Sequence, residues 1–176
     1  MRIKNLVIVG PPGVGKSTLV QAVVRELGDA VGGFFTRETR TAGIRDGFEI
    51  VTTAGEVASL ARAGAANPVM VGKYGVDLES VDRVAVPAIE RALRDGKIIL
   101  IDEIARMEVA SPAFRQTVQK ALDSASTVLA TMHEHSDPFT DAIKIREDIM
   151  LFMITPENRK DLEIEIVQKL RTQTRW

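Results

Sequence analysis

The chain has 176 residues, 45% of them hydrophobic and 27% charged, enough for one well-buried core and too few for two comfortable ones, so a single domain over 1–176 is expected. Lys and Arg total 23 against 24 Asp and Glu, and a net charge of -1 offers no global attraction for nucleic acid or an acidic membrane surface. Cysteine is absent, which excludes disulfides, thiolate zinc sites and thiol nucleophiles, and no run reaches the ~20 apolar residues that span a bilayer; a monomer in the cytoplasm, with neither membrane nor nucleic-acid partner, is the expectation.

Ile3 to Val9 reads as a buried strand and Lys16 to Leu27 as a helix, since Leu19, Val20, Val23, Val24 and Leu27 recur at helical spacing and Gly28 follows where a cap is wanted. β-formers on either side of Thr41-Ala42-Gly43 predict an antiparallel pair over Gly33–Arg40 and Ile44–Thr53, with Asp46-Gly47 either a second turn or a bulge. Ala61 to Asn67, rich in small residues, reads as a loop, and Val69 to Tyr74 as a short strand. Asp77 then caps a helix carrying Val81, Val84, Ala88, Ile89, Ala92 and Leu93, which Pro87 should kink or restart.

Ile98 to Ile101 is a buried strand ending at Asp102-Glu103, and Ser111-Pro112 opens a helix with Phe114, Val118, Ala121 and Leu122 on one face. Thr127–Thr131 and Ile149–Ile154 are further strands, with a short helix from Asp137-Pro138 between them. An amphipathic helix beyond Pro156 runs through Leu162, Ile166, Val167 and Leu170. Strands alternating with helices imply a three-layer α/β/α fold: a mostly parallel sheet with an antiparallel strand pair, binding ligands at the carboxyl ends of its strands.

Two motifs fall at such ends. Gly10-Pro11-Pro12-Gly13-Val14-Gly15-Lys16-Ser17 matches G-x-x-x-x-G-K-[ST] without a mismatch, between a strand and a helix as that loop requires. A triphosphate brings several negative charges, and a glycine-rich loop can turn its amides inward while the helix adds its positive end. Lys16 should reach the β- and γ-phosphates, and Ser17 should ligate magnesium. Pro11 and Pro12 stiffen the loop. Asp102 should hold the same Mg2+ through a coordinated water, while Glu103 orients or deprotonates the attacking water.

Thr131 and His133 finish a neighbouring strand, where a polar group can sense the γ-phosphate or position the water. Arg106, Arg146 and Arg159 are candidates for a cation beside it, and Asn158-Arg159 for contacts to base or sugar.

GPPGVGKSTL, GGFFTRETR with IRDGFEI, VGKYGV, IILIDEIARME with its Ser-Pro-x-Phe helix, and ITPENR resemble, in that order, the thermophile-type nucleoside triphosphatase (THEP) family over nearly the whole chain. The resemblance implies a P-loop NTPase with a RecA-like core and magnesium-dependent hydrolysis of ATP, GTP and other nucleoside triphosphates. By position it implies a nucleotide loop over Gly10 to Thr18, Thr18 included. It implies a second nucleotide-contacting segment of Ile99, Leu100, Ile101, Asp102, Glu103, Ile104, Ala105 and Arg106, with Glu103 acting on water. Ala105 stands where the family usually has glycine, which would stiffen the turn or narrow the space near the γ-phosphate. The GFFTRE block implies that Thr36, Glu38, Arg40 and Arg45 line or buttress the cleft.

Two rivals share a phosphate loop. A small nucleoside or nucleotide kinase should bring an acceptor pocket and an Arg-rich lid, and no compact Arg-rich insertion is present. A slow nucleotide-dependent switch specific for guanine should carry Asn-Lys-x-Asp, which is absent; Asp29-Ala30-Val31-Gly32 matches D-x-x-G but follows a helix rather than a strand.

Overall fold

The computed structural model describes residues 3–173. In chain order the elements are β1 (Asn5–Val9), α1 (Lys16–Leu27), β2 (Val31–Thr41), β3 (Ile44–Thr52), β4 (Val57–Ala63), β5 (Met70–Val71), β6 (Tyr74–Val76), α2 (Leu78–Ser80), α3 (Val86–Arg94), β7 (Ile98–Ile104), α4 (Arg106–Val109), α5 (Pro112–Asp123), β8 (Val128–Met132), α6 (Pro138–Lys144), β9 (Ile149–Met153) and α7 (Arg159–Gln173).

Among the described residues all the strands join one nine-stranded sheet in the order β5-β6-β4-β3-β2-β7-β8-β1-β9. From β2 to β9 the neighbours are parallel, and from β2 through β3, β4 and β6 to β5 they are antiparallel. The expected antiparallel pair is therefore present, and the antiparallel region continues past it to the sheet edge.

Successive strand residues face opposite sides of a sheet, and the apolar runs divide accordingly. Leu6 and Ile8 of β1, Ile98 and Leu100 of β7 and Leu129 of β8 pack with Leu19, Val20 and Val23 of α1 and Ile166, Val167 and Leu170 of α7. Val7 and Val9, Ile99 and Ile101, and Val128 and Ala130 face the other way, against Ile89 and Ala92 of α3 and Phe114, Val118 and Leu122 of α5. Two cores on opposite faces of one sheet make three layers.

The local signals set most boundaries. Gly28 ends α1 with its N–H returning to Val24 O, Asp77 accepts from Ser80 N, Ser111 from Phe114 N, and Asp137 from Phe139 N and Thr140 N. The helix predicted across Pro87 neither stops nor restarts there: a π-helical stretch over Val81–Ala85 runs without a break into α3, and Pro87, which has no N–H to donate, sits in the first turn of α3 directly after that stretch. Asp46 is a bulge, since Thr39 pairs with Gly47 and Arg40 with Arg45, leaving Asp46 without an opposite residue.

Several expectations differ. β1 begins at Asn5, not Ile3. The loop predicted from Ala61 starts only after β4, which pairs with both β3 and β6 and draws Val57–Ala63 into the sheet. The strand predicted over Val69 to Tyr74 is a hairpin, β5 and β6, turning at Gly72-Lys73. β7 runs past its expected end through Asp102 and Glu103 to Ile104.

Candidate active site

β1 and β7 are separated by β8, so the phosphate loop after β1 and the acid pair on β7 face each other across the end of one strand. The loop relies on glycine where the backbone enters the left-handed region, at Gly13 (φ 76°) and Gly15 (φ 105°), the residue that starts α1. A Cβ on Gly15 would also lie 2.6 Å from Arg159 Nη1. The bare glycine thus lets Arg159, the first residue of α7, lay its guanidinium against the loop.

Lys16 is 6% exposed and folds back over the loop, donating to Gly10 O at 2.9 Å and Pro11 O at 3.1 Å. Its Nζ also stands 3.2 Å from Glu103 Oε1, an ion-pair distance without hydrogen-bond alignment, so that oxygen has no hydrogen-bond partner. The other Glu103 oxygen faces His133 Nε2 at 2.9 Å. Burial would push the Glu103 carboxyl up, but the His133 hydrogen bond and the Lys16 charge outweigh it and hold the group below its ordinary value. Glu103 is therefore a fixed carboxylate.

Asp102, one residue earlier on β7, is fully buried. Thr131 donates to its Oδ1 at 2.5 Å, and the Ser17 hydroxyl lies near the same carboxylate. Oδ2 is buried without a partner. Burial pushes this carboxyl up to about 6; the Thr131 and Ser17 hydroxyls oppose that rise and the Glu103 charge adds to it. Asp102 and Glu103 have no ordinary ladder partners on β8, because the pairing skips from Ile101 to Ile104, and their shared peptide is cis.

Beyond Glu103, away from the phosphate loop, lies a cavity of about 330 Å³. Its walls include Phe48, Leu60, Val71, Ile104 and Met107, with Thr36, Glu103, Glu108, His133, His135 and Asp137 as polar members. Glu108 is 3% exposed and its Oε2 has no partner. It stands at the third position of α4, where a Glu side chain can turn back toward the N–H of the N-cap, here Ala105: the back-half position of a capping box. Burial pushes this carboxyl well above its usual range, and the charge of Glu103 adds to the rise.

The structure distributes the predicted residues unevenly. Lys16, Ser17, Asp102, Glu103, Thr131 and His133 converge, with Arg159 against the loop. Ile99 and Leu100 face the two cores, and Ile101 and Ile104 are buried on the same face as Ile99. Asn158 is committed locally, its amide joined to Thr155 N at 2.8 Å and Met153 O at 2.9 Å. Arg146 does not join the site: it pairs with Asp148 and Asp123 at 2.8 Å each, near the amino ends of the strands. Arg106 is exposed at the cavity rim.

Of the residues in the GFFTRE block, Thr36 lines the cavity. Glu38, Arg40 and Arg45 instead form an exposed ion cluster on the β2–β3 hairpin. Ala105 has φ −140°, extended backbone open to any residue, so its methyl group imposes no backbone strain. Glu108 escaped the sequence reading, although a Glu three residues after a strand-ending turn is a capping signal.

Residues 5–167 match the family described as NTPase. The nucleoside-triphosphatase THEP1 of Thermotoga sp. (strain RQ2) is 43% identical over 167 residues, covering 95% of both chains. The crystal structure of THEP1 from Aquifex aeolicus superposes with a TM-score of 0.89 at 36% identity, over 94% of this chain and 98% of that one. The solution structure of a human cancer-related nucleoside triphosphatase gives 0.83 at 34% identity, over 98% and 100%. With the family match spanning residues 5–167 and the relatives covering nearly the whole chain, the chain belongs to the NTPase family.

Proposed function

We propose that this NTPase hydrolyses nucleoside 5'-triphosphates, ATP and GTP among them, to the diphosphate and phosphate in a magnesium-dependent reaction. The observation that carries this reading is Glu103, a carboxylate held between His133 and Lys16 at the mouth of the phosphate loop. Breadth across bases rests on the relatives, whose names specify nucleoside triphosphates and no base.

The residues fit magnesium. Asp102 Oδ2 is a buried oxygen without a partner, the Ser17 hydroxyl lies against the same carboxylate, and no group of three or more His, Asp or Glu side chains is placed to hold a metal ion among the described residues. A hard cation held by one carboxylate, one hydroxyl and substrate phosphates needs no larger cage. When bound, the ion neutralises charge on the β- and γ-phosphate oxygens.

The chain's own groups do the rest. The loop amides and the start of α1 cradle the phosphates. Lys16 exchanges its contacts with Gly10 O and Pro11 O for phosphate oxygens, and its departure frees Glu103 Oε1. Glu103 then orients a water on the γ-phosphorus and takes its proton, with His133 holding the other oxygen in place. Arg159, against Gly15, adds positive charge over the loop.

Phosphate release measured with ATP, GTP, CTP and UTP, without any acceptor, tests the reading. Release from each, abolished by EDTA and restored by excess magnesium, is expected. Turnover only after a nucleoside or nucleotide is added would replace it with a kinase.

A further inference from the structure

A water molecule occupies about 30 Å³ in the liquid, whereas small-molecule sites start near 300 Å³. The cavity beyond Glu103 holds about 330 Å³, far more than a hydrolytic water needs. One of its walls is the antiparallel half of the sheet: Phe48 on β3, Leu60 on β4 and Val71 on β5. No residue of the phosphate loop lines it, yet Glu103 and His133 do, so the cavity and the phosphate loop meet at the proposed base.

Its polar lining is unfinished. Glu108 Oε2 and His133 Nδ1 are buried without partners, and a buried polar group left unpaired carries its full desolvation cost. With Nε2 donating to Glu103, Nδ1 is left to accept. Burial favours the protonated Glu108 carboxyl, whose Oε2 can donate. A ligand offering one acceptor and one donor along an amide-like edge, on a flat body that packs against Phe48 and Met107, completes both. Nucleobases have that edge and that body.

From these observations we propose that the cavity is an acceptor site for a nucleoside-sized, hydroxyl-bearing heterocycle, to which the γ-phosphoryl group is transferred in competition with water. The proposal rests on the reading of Glu103 as base and a nucleoside triphosphate as donor. The acceptor hydroxyl oxygen forms a bond to the γ-phosphorus, the bond from that phosphorus to the β–γ bridging oxygen breaks, and the hydroxyl proton passes to Glu103. The products are a phosphate monoester and the nucleoside diphosphate.

The test incubates the chain with magnesium and γ-phosphate-labelled ATP, separately with adenosine, guanosine, cytidine, uridine and thymidine. The expected result is a labelled nucleoside monophosphate with at least one of them, its rate saturating with nucleoside. Val71→Trp, on the short edge strand β5, fills the cavity and should lower ester formation about tenfold or more while phosphate release without nucleoside stays within about twofold. Glu108→Leu, which has no donor, should raise the KM for the nucleoside about tenfold, the loss of one buried hydrogen bond, whereas Glu108→Gln, whose amide still donates, should leave it within about twofold. Label in free phosphate alone with every nucleoside, or ester formation untouched by Val71→Trp, overturns the acceptor site and leaves the hydrolase standing. Absence of both phosphate and ester overturns both.

Discussion

The sheet carries a buried polar cluster at each end, and the two are built on opposite terms. At the amino ends of the strands Asn5, fully buried, donates to Leu122 O at 3.2 Å and Asp148 Oδ2 at 2.9 Å and accepts from Val128 N at 3.1 Å. Arg146 and Lys4 pair with the same Asp148, and Lys4 also donates to Leu122 O. At the carboxyl ends lie Asp102 Oδ2, Glu103 Oε1, Glu108 Oε2 and His133 Nδ1, all the buried side-chain polar atoms without hydrogen-bond partners among the described residues, Glu103 Oε1 having only its ion pair with Lys16. Native interiors pair such atoms almost everywhere, so the satisfied end is a structural device and the unsatisfied end is left open for ligands.

Three measurements break or sharpen that contrast. The largest effect is expected from Glu103→Gln, which should lower kcat by roughly 10²–10⁴, the contribution of a positioned base, while nucleotide binding survives. Near wild-type turnover would remove Glu103 as the base. Next comes Asn5→Ala, which leaves its buried partners unpaired and should lower unfolding free energy by about 3 kcal/mol with kcat kept. Denaturant unfolding together with phosphate release separates the two quantities, and a loss of kcat in the folded variant would mean the ends are coupled.

The smallest effect concerns pH, where the two ends have opposite signs. The Arg146 hydrogen bond beside Asp148 holds its carboxyl below the ordinary 3.8, so its stabilisation is present above that value and lost as pH falls through the folded value. Glu108 is raised above its ordinary 4.5 by burial, so the folded state keeps its proton and its contribution is full below 4.5 and lost as pH rises. Glu108→Gln cannot ionise, and its Tm relative to the parent should climb by about a few degrees between acidic and mildly alkaline buffer. A difference that does not change with pH would show that Glu108 is not the buried acid described.

The phosphate loop, the helix after it, the strand into Asp102, the capped starts at Asp77, Ser111 and Asp137, and the antiparallel pair were all legible. Each is a local pattern of a few neighbouring residues with one physical cause. β4 was not, because Val57–Ala63 is rich in alanine, a weak strand former, and becomes a strand only through pairing on both sides with β3 and β6. The Thr131–Asp102 bond joins residues 29 apart in sequence, and the separation of Arg146 from the site depends on Asp148 and Asp123. Neither relation leaves a local trace.

By itself, then, the sequence determined the kind of chemistry: glycines that let amides converge, a lysine and a hydroxyl behind them, and an acid pair on a buried strand. These follow from side-chain chemistry and short-range backbone geometry. The tertiary structure alone decided which groups meet, placing β8 between β1 and β7 so that His133 braces Glu103, and folding β3, β4 and β5 beside a cavity on its far side. Such meetings are set by strand order and packing across the whole sheet, which no short window of residues encodes.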